Sequence, residues 1–313
     1  MLSAWHWHPS VLLGCAALVA GYLAALRFRL GRAALYYLAG ILVLLLALLS
    51  PIHTLGEGYL FSAHMLQHLL LVQVVPPLLL MGIPASLAVQ ALGPRPGGIK
   101  RTADPGLRNP DEGRGRDEGD GQPANRNLLP SFFISMREVS GSALRGAEQV
   151  LGQPLVAWSL GIGAMWLWHL PVFYNATLEH ASIHIIEHLC FLATATIFWW
   201  PIVGPLAERR LTPFFTALYL FAAMIASSVL GIILTFTPPG LYPAYLRPAD
   251  TLGVLPLLRA GWGLTPAADQ QLGGLLMWVP GSLVYLYAML VTLARWYRAP
   301  EEDIGSVAAL ERR

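Results

Sequence analysis

The stretch FSAHMLQHLLLVQVVPPLLLMGIP, residues 61–84, is a long apolar run that nonetheless carries two histidines, His64 and His68. Their spacing of four sets both rings on one helix face, a turn apart. In water such a pair would be commonplace. In hydrocarbon each imidazole needs a partner, because an ionisable group turned to lipid is costly. The solvent of this run therefore decides both the fold and the meaning of the pair.

Composition identifies that solvent. Of 313 residues, 55% are hydrophobic and 12% charged, and the mean hydropathy is +0.55. A water-soluble domain of this length does not show that balance. The net charge of +2 implies neither a nucleic-acid surface nor an acidic partner. Cys15 and Cys190 lie in apolar runs with no C-x-x-C pairing, so they read as packing residues.

A helix needs roughly 20 apolar residues to cross a hydrocarbon core of ~30 Å. Seven runs qualify, at about 9–29, 33–52, 61–83, 154–174, 180–203, 212–236 and 271–297. The expected fold is all-α, a polytopic membrane bundle of seven transmembrane helices forming a single membrane domain over 1–313. The first run has no basic leader or small-residue cleavage site and reads as a retained span. Between the third and fourth runs, residues 93–130 are Gly, Pro and charge with almost nothing to bury, which predicts a mobile cytoplasmic insert. The following stretch, 128–151, reads as a short amphipathic surface helix.

Positive charge is retained on the cytoplasmic side of membrane proteins. Eighteen of the 20 Lys and Arg residues fall on one side of the seven-span topology, leaving Arg247 and Arg259 on the other. The N-terminus is therefore expected outside and the C-terminus inside. On this topology all nine histidines fall in the outer half: His6 and His8 before the first span, His53 after the second, His64 and His68 in the third, His169 in the fourth, and His180, His184 and His188 along the fifth.

At 100° per residue, His180, His184 and His188 fall at about 0°, 40° and 80°, with Glu187 at about −20°. One stripe thus holds three imidazoles and the only carboxylate well inside a span. An acid at mid-bilayer costs ~2.5–3.5 kcal/mol on insertion scales, so Glu187 must face protein. His64, His68 and Gln67 form a comparable stripe on the third span. Facing stripes would give a site of four or five imidazoles with a carboxylate beside them. Imidazole suits copper and zinc, and a thioether shifts the preference toward cuprous copper. Met65 and Met277 could supply one, although methionine is more often filler than ligand. The metal candidates are His64, His68, His184 and His188, with His180, Glu187, Met277 and Asp269 as neighbours.

HMLQH followed by PPLLLMGIP, HxxEH in the fifth span, FWWP at 198–201, and GLTPAADQQLGGLLMWVPG at 263–281 together resemble the CtaG family of cytochrome c oxidase assembly factors. The resemblance runs over most of the seven spans. It implies a multi-pass protein of the bacterial cytoplasmic membrane needed for forming active haem–copper oxidase, with oxidase subunits as partners. Family members also occur joined to copper-resistance-type membrane domains. The resemblance carries over His64, His68, His184 and His188, with Asp269, Gln270, Met277 and Trp278 as the outer-end motif of the last span. The cytoplasmic insert matches no part of the family pattern.

The expected mechanism is capture of Cu(I) from the outer compartment, from a copper carrier there, and lateral release to an oxidase subunit. Asp269 and the Pro-rich connection 237–270 would form a lid, and Glu187 would tune the imidazoles. Three alternatives remain. HIIEH at 184–188 matches the H-x-x-E-H zinc-peptidase motif, but nothing marks a third ligand or an attacking water. Histidines on facing helices also suit haem. A metal-free scaffold for oxidase subunits is the third. No nucleophile–base pair or phosphate loop is present, so no enzymatic activity is expected.

Overall fold

The computed structural model describes residues 5, 7–27, 31–92 and 151–298. His6, the insert at 93–130 and nearly all of the surface helix expected after it lie outside the described residues. Among the described residues, regular structure is helical throughout: α1 (Pro9–Ala25), α2 (Arg32–Leu49), α3 (Pro51–Gly58), α4 (Phe61–Leu69), α5 (Val75–Met81), α6 (Ala85–Leu92), α7 (Pro154–Trp168), α8 (Pro171–Glu179), α9 (Ala181–Val203), α10 (Pro213–Phe236) and α11 (Pro266–Tyr297).

Among the described residues, five helical stretches are long and apolar enough to cross a membrane: α2, α4 through α5, α9, α10 and α11. The α7–α8 pair makes a sixth if counted as one span, and α1, at 17 residues, is shorter than the others. The fourth expected span is not straight. It breaks at His169 and Leu170, and its halves are bent by 68°. Pro171 is the cause: it opens α8, and it holds the preceding Leu170 in an extended conformation, φ −64° and ψ 134°, as a residue before proline prefers. The last span begins at Pro266 rather than near 271, because the Thr265 hydroxyl accepts a hydrogen bond from Ala268 N at 3.2 Å and caps it.

The histidine-bearing third span runs unbroken from Phe61 to Met81, but not as regular α-helix. Leu70–Val74 widen into a π turn, just ahead of Pro76 and Pro77. Proline brings no N–H to the ladder, so the carbonyl four residues back loses its partner. For Pro76 that carbonyl is Val72, and the indole Nε1 of Trp199 donates to it at 3.0 Å. The FWWP segment of α9 thereby repairs a defect in the neighbouring span, and α9 packs along α5 and the π turn.

Among the described residues, the most extensive helix pairing joins α10 to α11. A Cβ on Gly274 would stand 2.4 Å from Thr235 Oγ1 and 2.5 Å from Thr235 N. A Cβ on Gly273 would enter the ring of Phe61, 2.3 Å away. The paired glycines let α11 wedge between α10 and α4. A G274V protein should lose about 1–3 kcal/mol to overpacking, read as a lower unfolding midpoint and poorer yield in detergent. Exposed Gly163, where a Cβ meets nothing within 4 Å, is the control: G163A should match or exceed wild type.

Candidate metal centre

Four side chains bring one donor atom each to within 4.8 Å of one another: His64, His68, Glu187 and His188. Two come from α4 and two from α9, so the facing stripes read from the sequence do meet. His64 and Glu187 are fully buried and His68 is 3% exposed. The Glu187 oxygens stand 3.7 Å from His64 Nε2 and 3.6 Å from His68 Nε2, and His184 Nε2 is 4.0 Å away. These separations are too long for hydrogen bonds. Accordingly His64 Nε2, both nitrogens of His68, His184 Nε2, His188 Nε2 and both Glu187 oxygens are buried without a hydrogen-bond partner.

The outer contacts of these rings bear on where their protons sit. Burial pushes the phenol of Tyr245 well above its ordinary range, so it keeps its proton, which it donates to Gly56 O at 2.6 Å. Toward His64 Nδ1, 2.9 Å away, Tyr245 can only accept. A neutral His64 that gives its Nδ1 proton to Tyr245 turns a bare Nε2 lone pair to the cluster, whereas a Tyr174 hydroxyl donating to Nδ1 would place the proton on Nε2. Tyr174 lies against the same Nδ1 at 2.9 Å. His184 Nδ1 donates to Glu57 Oε1 at 2.7 Å, which leaves Nε2 bare when the ring is neutral.

His53 has the opposite tautomer. Gln67 Nε2 donates to Ala47 O and to His53 Nδ1, each at 3.0 Å, so the His53 proton lies on Nε2, 3.4 Å from Glu57 Oε2. In this state His53 orients rather than ligates. His53 and Glu57 steer His184 as an outer shell steers a metal-binding imidazole. His8 stands beyond them, its ring 5.8 Å from that of His53.

Other candidates are placed differently. His180 is exposed and only precedes α9, so the stripe starts a turn later than the helical wheel implied. Asp269 is not in the cluster: Oδ2 accepts from Phe61 N at 2.8 Å, and Oδ1 from Ser62 N at 3.1 Å and Ser62 Oγ at 2.5 Å. It caps α4, the helix that carries His64 and His68, from across the bundle. Gln270 likewise closes α10, donating to Thr237 O at 2.6 Å. Met277 is buried below the cluster, near Met65, His68 and His169. Glu57, Tyr174 and Tyr245 were missed. Glu57 had a signal, the i, i+4 pairing with His53; the tyrosines, brought in from other segments, had none.

The fold is that of a multi-pass helical membrane protein enclosing an imidazole–carboxylate cluster. The sequence pattern of the cytochrome c oxidase caa3 assembly factors (Caa3_CtaG) matches residues 16–299, and the chain belongs to that family. It is similar to an uncharacterized protein of Mycobacterium leprae, 25% identical over 304 residues, which cover 93% of the chain and 40% of that protein. Uncharacterized proteins of Mycobacterium bovis and Mycobacterium tuberculosis are each 24% identical, with 93% of the chain and 39% of the relative covered. The chain thus spans about two-fifths of the length of these relatives. No solved structure matches it.

The capping role of Asp269 has a measurable consequence. D269A strands two backbone N–H groups and a hydroxyl, at roughly 1–3 kcal/mol for each buried donor left unpaired. Its detergent melt should fall well below that of H180A, which removes only an exposed side chain and should stay within about 0.5 kcal/mol of wild type. Coincident melts for the two would remove the cap from the account.

Proposed function

We propose that this protein binds copper at the cluster of His64, His68, Glu187 and His188, with His184 at its outer edge, and delivers it during assembly of haem–copper oxidase. One observation carries the reading. Lone pairs on imidazole nitrogens and a buried carboxylate converge on one point with no hydrogen bonds among them, an arrangement only a cation or shared protons can stabilise. Membership of an oxidase assembly family supplies the context in which that cation is copper.

The same reading takes α1, the bent α7–α8 pair and the five long spans as seven crossings of a bacterial cytoplasmic membrane. The charge distribution puts the N-terminus outside and the C-terminus inside, with the cluster toward the outer compartment. Copper would enter from that side past His8, His53 and Glu57, from a carrier there, and leave toward oxidase subunits in the membrane. Each residue has a part in this. His64 and His184 present Nε2 toward Glu187, with their Nδ1 atoms engaged by Tyr245 and Tyr174 and by Glu57. His68 and His188 complete the imidazole set. Glu187 offsets the charge of the ion, which would otherwise be costly at this depth.

Metal analysis of purified protein after loading with copper or zinc under reducing conditions tests the proposal. H68L and E187Q should each weaken binding by at least ~10–100-fold, the loss that follows removal of even an outer-shell partner, while the proteins stay folded. Metal content equal to wild type in both would count against the cluster. Wild type that takes up no metal would point to a scaffold, and a strong visible absorption band on the isolated protein would point to haem.

A further inference from the structure

Below the cluster lies a small cavity of about 20 Å³, lined by Met65, His68, Gln73, His169, Ser227 and Met277 among others. A water-sized occupant needs roughly 10–15 Å³, so the cavity has room for a single ion or water. Its lining is unusual for a membrane-protein interior. Three methionines, Met65, Met165 and Met277, line it, and His68 Nδ1 is buried without a hydrogen-bond partner, while Gln73 and Ser227 lie within reach of the Tyr285 hydroxyl. Gln73 lies on the π turn, the kind of helix irregularity that gathers at functional sites.

The contact between His169 and Met65 is the informative one. His169 Nδ1 lies 2.6 Å from Met165 O. A carbonyl only accepts, so the proton of the neutral ring is on Nδ1. Its Nε2 is then bare, yet it faces the Met65 sulfur at 3.3 Å. Neither atom has a proton to give the other. Two electron-pair donors this close are held apart poorly by packing alone, but the spacing suits two ligands of one ion. Metal–nitrogen and metal–sulfur lengths of ~2.0 and ~2.3 Å at a tetrahedral angle put the donors about 3.5 Å apart. The break in the fourth span is what aims His169 here, since the residue occupies the bend.

We propose that this cavity is a second metal subsite, selective for a soft monovalent ion such as Cu(I), with His169 Nε2, Met65 Sδ and Met277 Sδ as ligands. It rests on the metal reading above and deepens it. The upper cluster offers nitrogen and carboxylate oxygen, which accept Zn(II) and copper alike. The lower site offers thioether, which selects Cu(I). His68 belongs to both, with Nε2 turned to Glu187 and its ring lining the cavity. The two sites therefore adjoin across that one ring.

Full-length protein in detergent is titrated anaerobically with Zn(II), Cu(I) and Ag(I), the last a soft ion of the same charge as Cu(I), and X-ray absorption is recorded on the copper form. Wild type should bind Zn(II) through nitrogen and oxygen only, and Cu(I) with sulfur in its shell. The M65L/M277L double variant, which conserves side-chain volume, should lose the sulfur signal and at least ~10-fold in Ag(I) affinity, with Zn(II) binding unchanged. H188L should do the reverse, weakening Zn(II) and keeping Ag(I). Binding of Cu(I) by wild type with no sulfur in its shell would overturn the second subsite and leave the cluster standing. Binding of none of the three ions would overturn both. Should M65L/M277L fail to fold, the wild-type sulfur signal decides alone.

Discussion

A carboxylate that no solvent reaches constrains everything around it. Glu187 is fully buried in a helix that is otherwise apolar enough to span a membrane, and no protein group donates a hydrogen bond to it. Left anionic and alone, such a group would cost several kcal/mol after all relaxation. Its neighbours do not neutralise it, since the nearest nitrogens of His64, His68 and His184 stand 3.6–4.0 Å away, beyond hydrogen-bond reach. Negative charge and ring nitrogens thus converge on a volume a few ångströms across. The fold tolerates this only if positive charge is available there, as bound metal or as protons.

Holding such a repulsive set together takes a rigid shell, and the shell comes from distant parts of the chain. Asp269 at the start of α11 fixes the N-terminus of α4. Tyr245, in the connection before α11, engages His64 Nδ1 from one side while Tyr174 of α8 leans on it from another. Gln67, His53 and Glu57 form a hydrogen-bonded file that ends on His184. Trp199 seals the π turn directly below. Apart from Gln67 Oε1, which is buried without a hydrogen-bond partner, these groups engage their polar atoms away from the cluster, which leaves the cluster's own donors free to turn inward.

The helices and the two halves of the cluster were legible in the sequence because both follow from local spacing. Hydropathy over ~20 residues finds a span, and i, i+3 and i, i+4 intervals place His64 with His68 and His184 with Glu187 and His188. What escaped was non-local. Asp269 binds residues 207 and 208 positions away, so its place at the front of a motif suggested a lid where the structure has a cap. Glu57 meets His184 across 127 positions. Two other misses had local signals that hydropathy overrode. Pro171 marks the break in the fourth span, and the helix boundary at Ala181 strands His180 outside the stripe.

The sequence also could not separate donors by softness, because His169, Met65 and Met277 lie on three different spans. Their meeting point gives the proposed transfer a direction. On the proposed orientation, a cluster of nitrogen and oxygen ligands would lie nearest the outer compartment and accept copper in either oxidation state, whereas thioether ligands deeper in the bundle would favour the cuprous ion. An ion moving inward along His68 would exchange hard donors for soft ones without becoming fully coordinated at either site. Low coordination keeps the barrier to each exchange small. On the proposed function, the histidine–carboxylate and histidine–thioether pockets would be two stages of a single hand-over, with selectivity for Cu(I) imposed at the second.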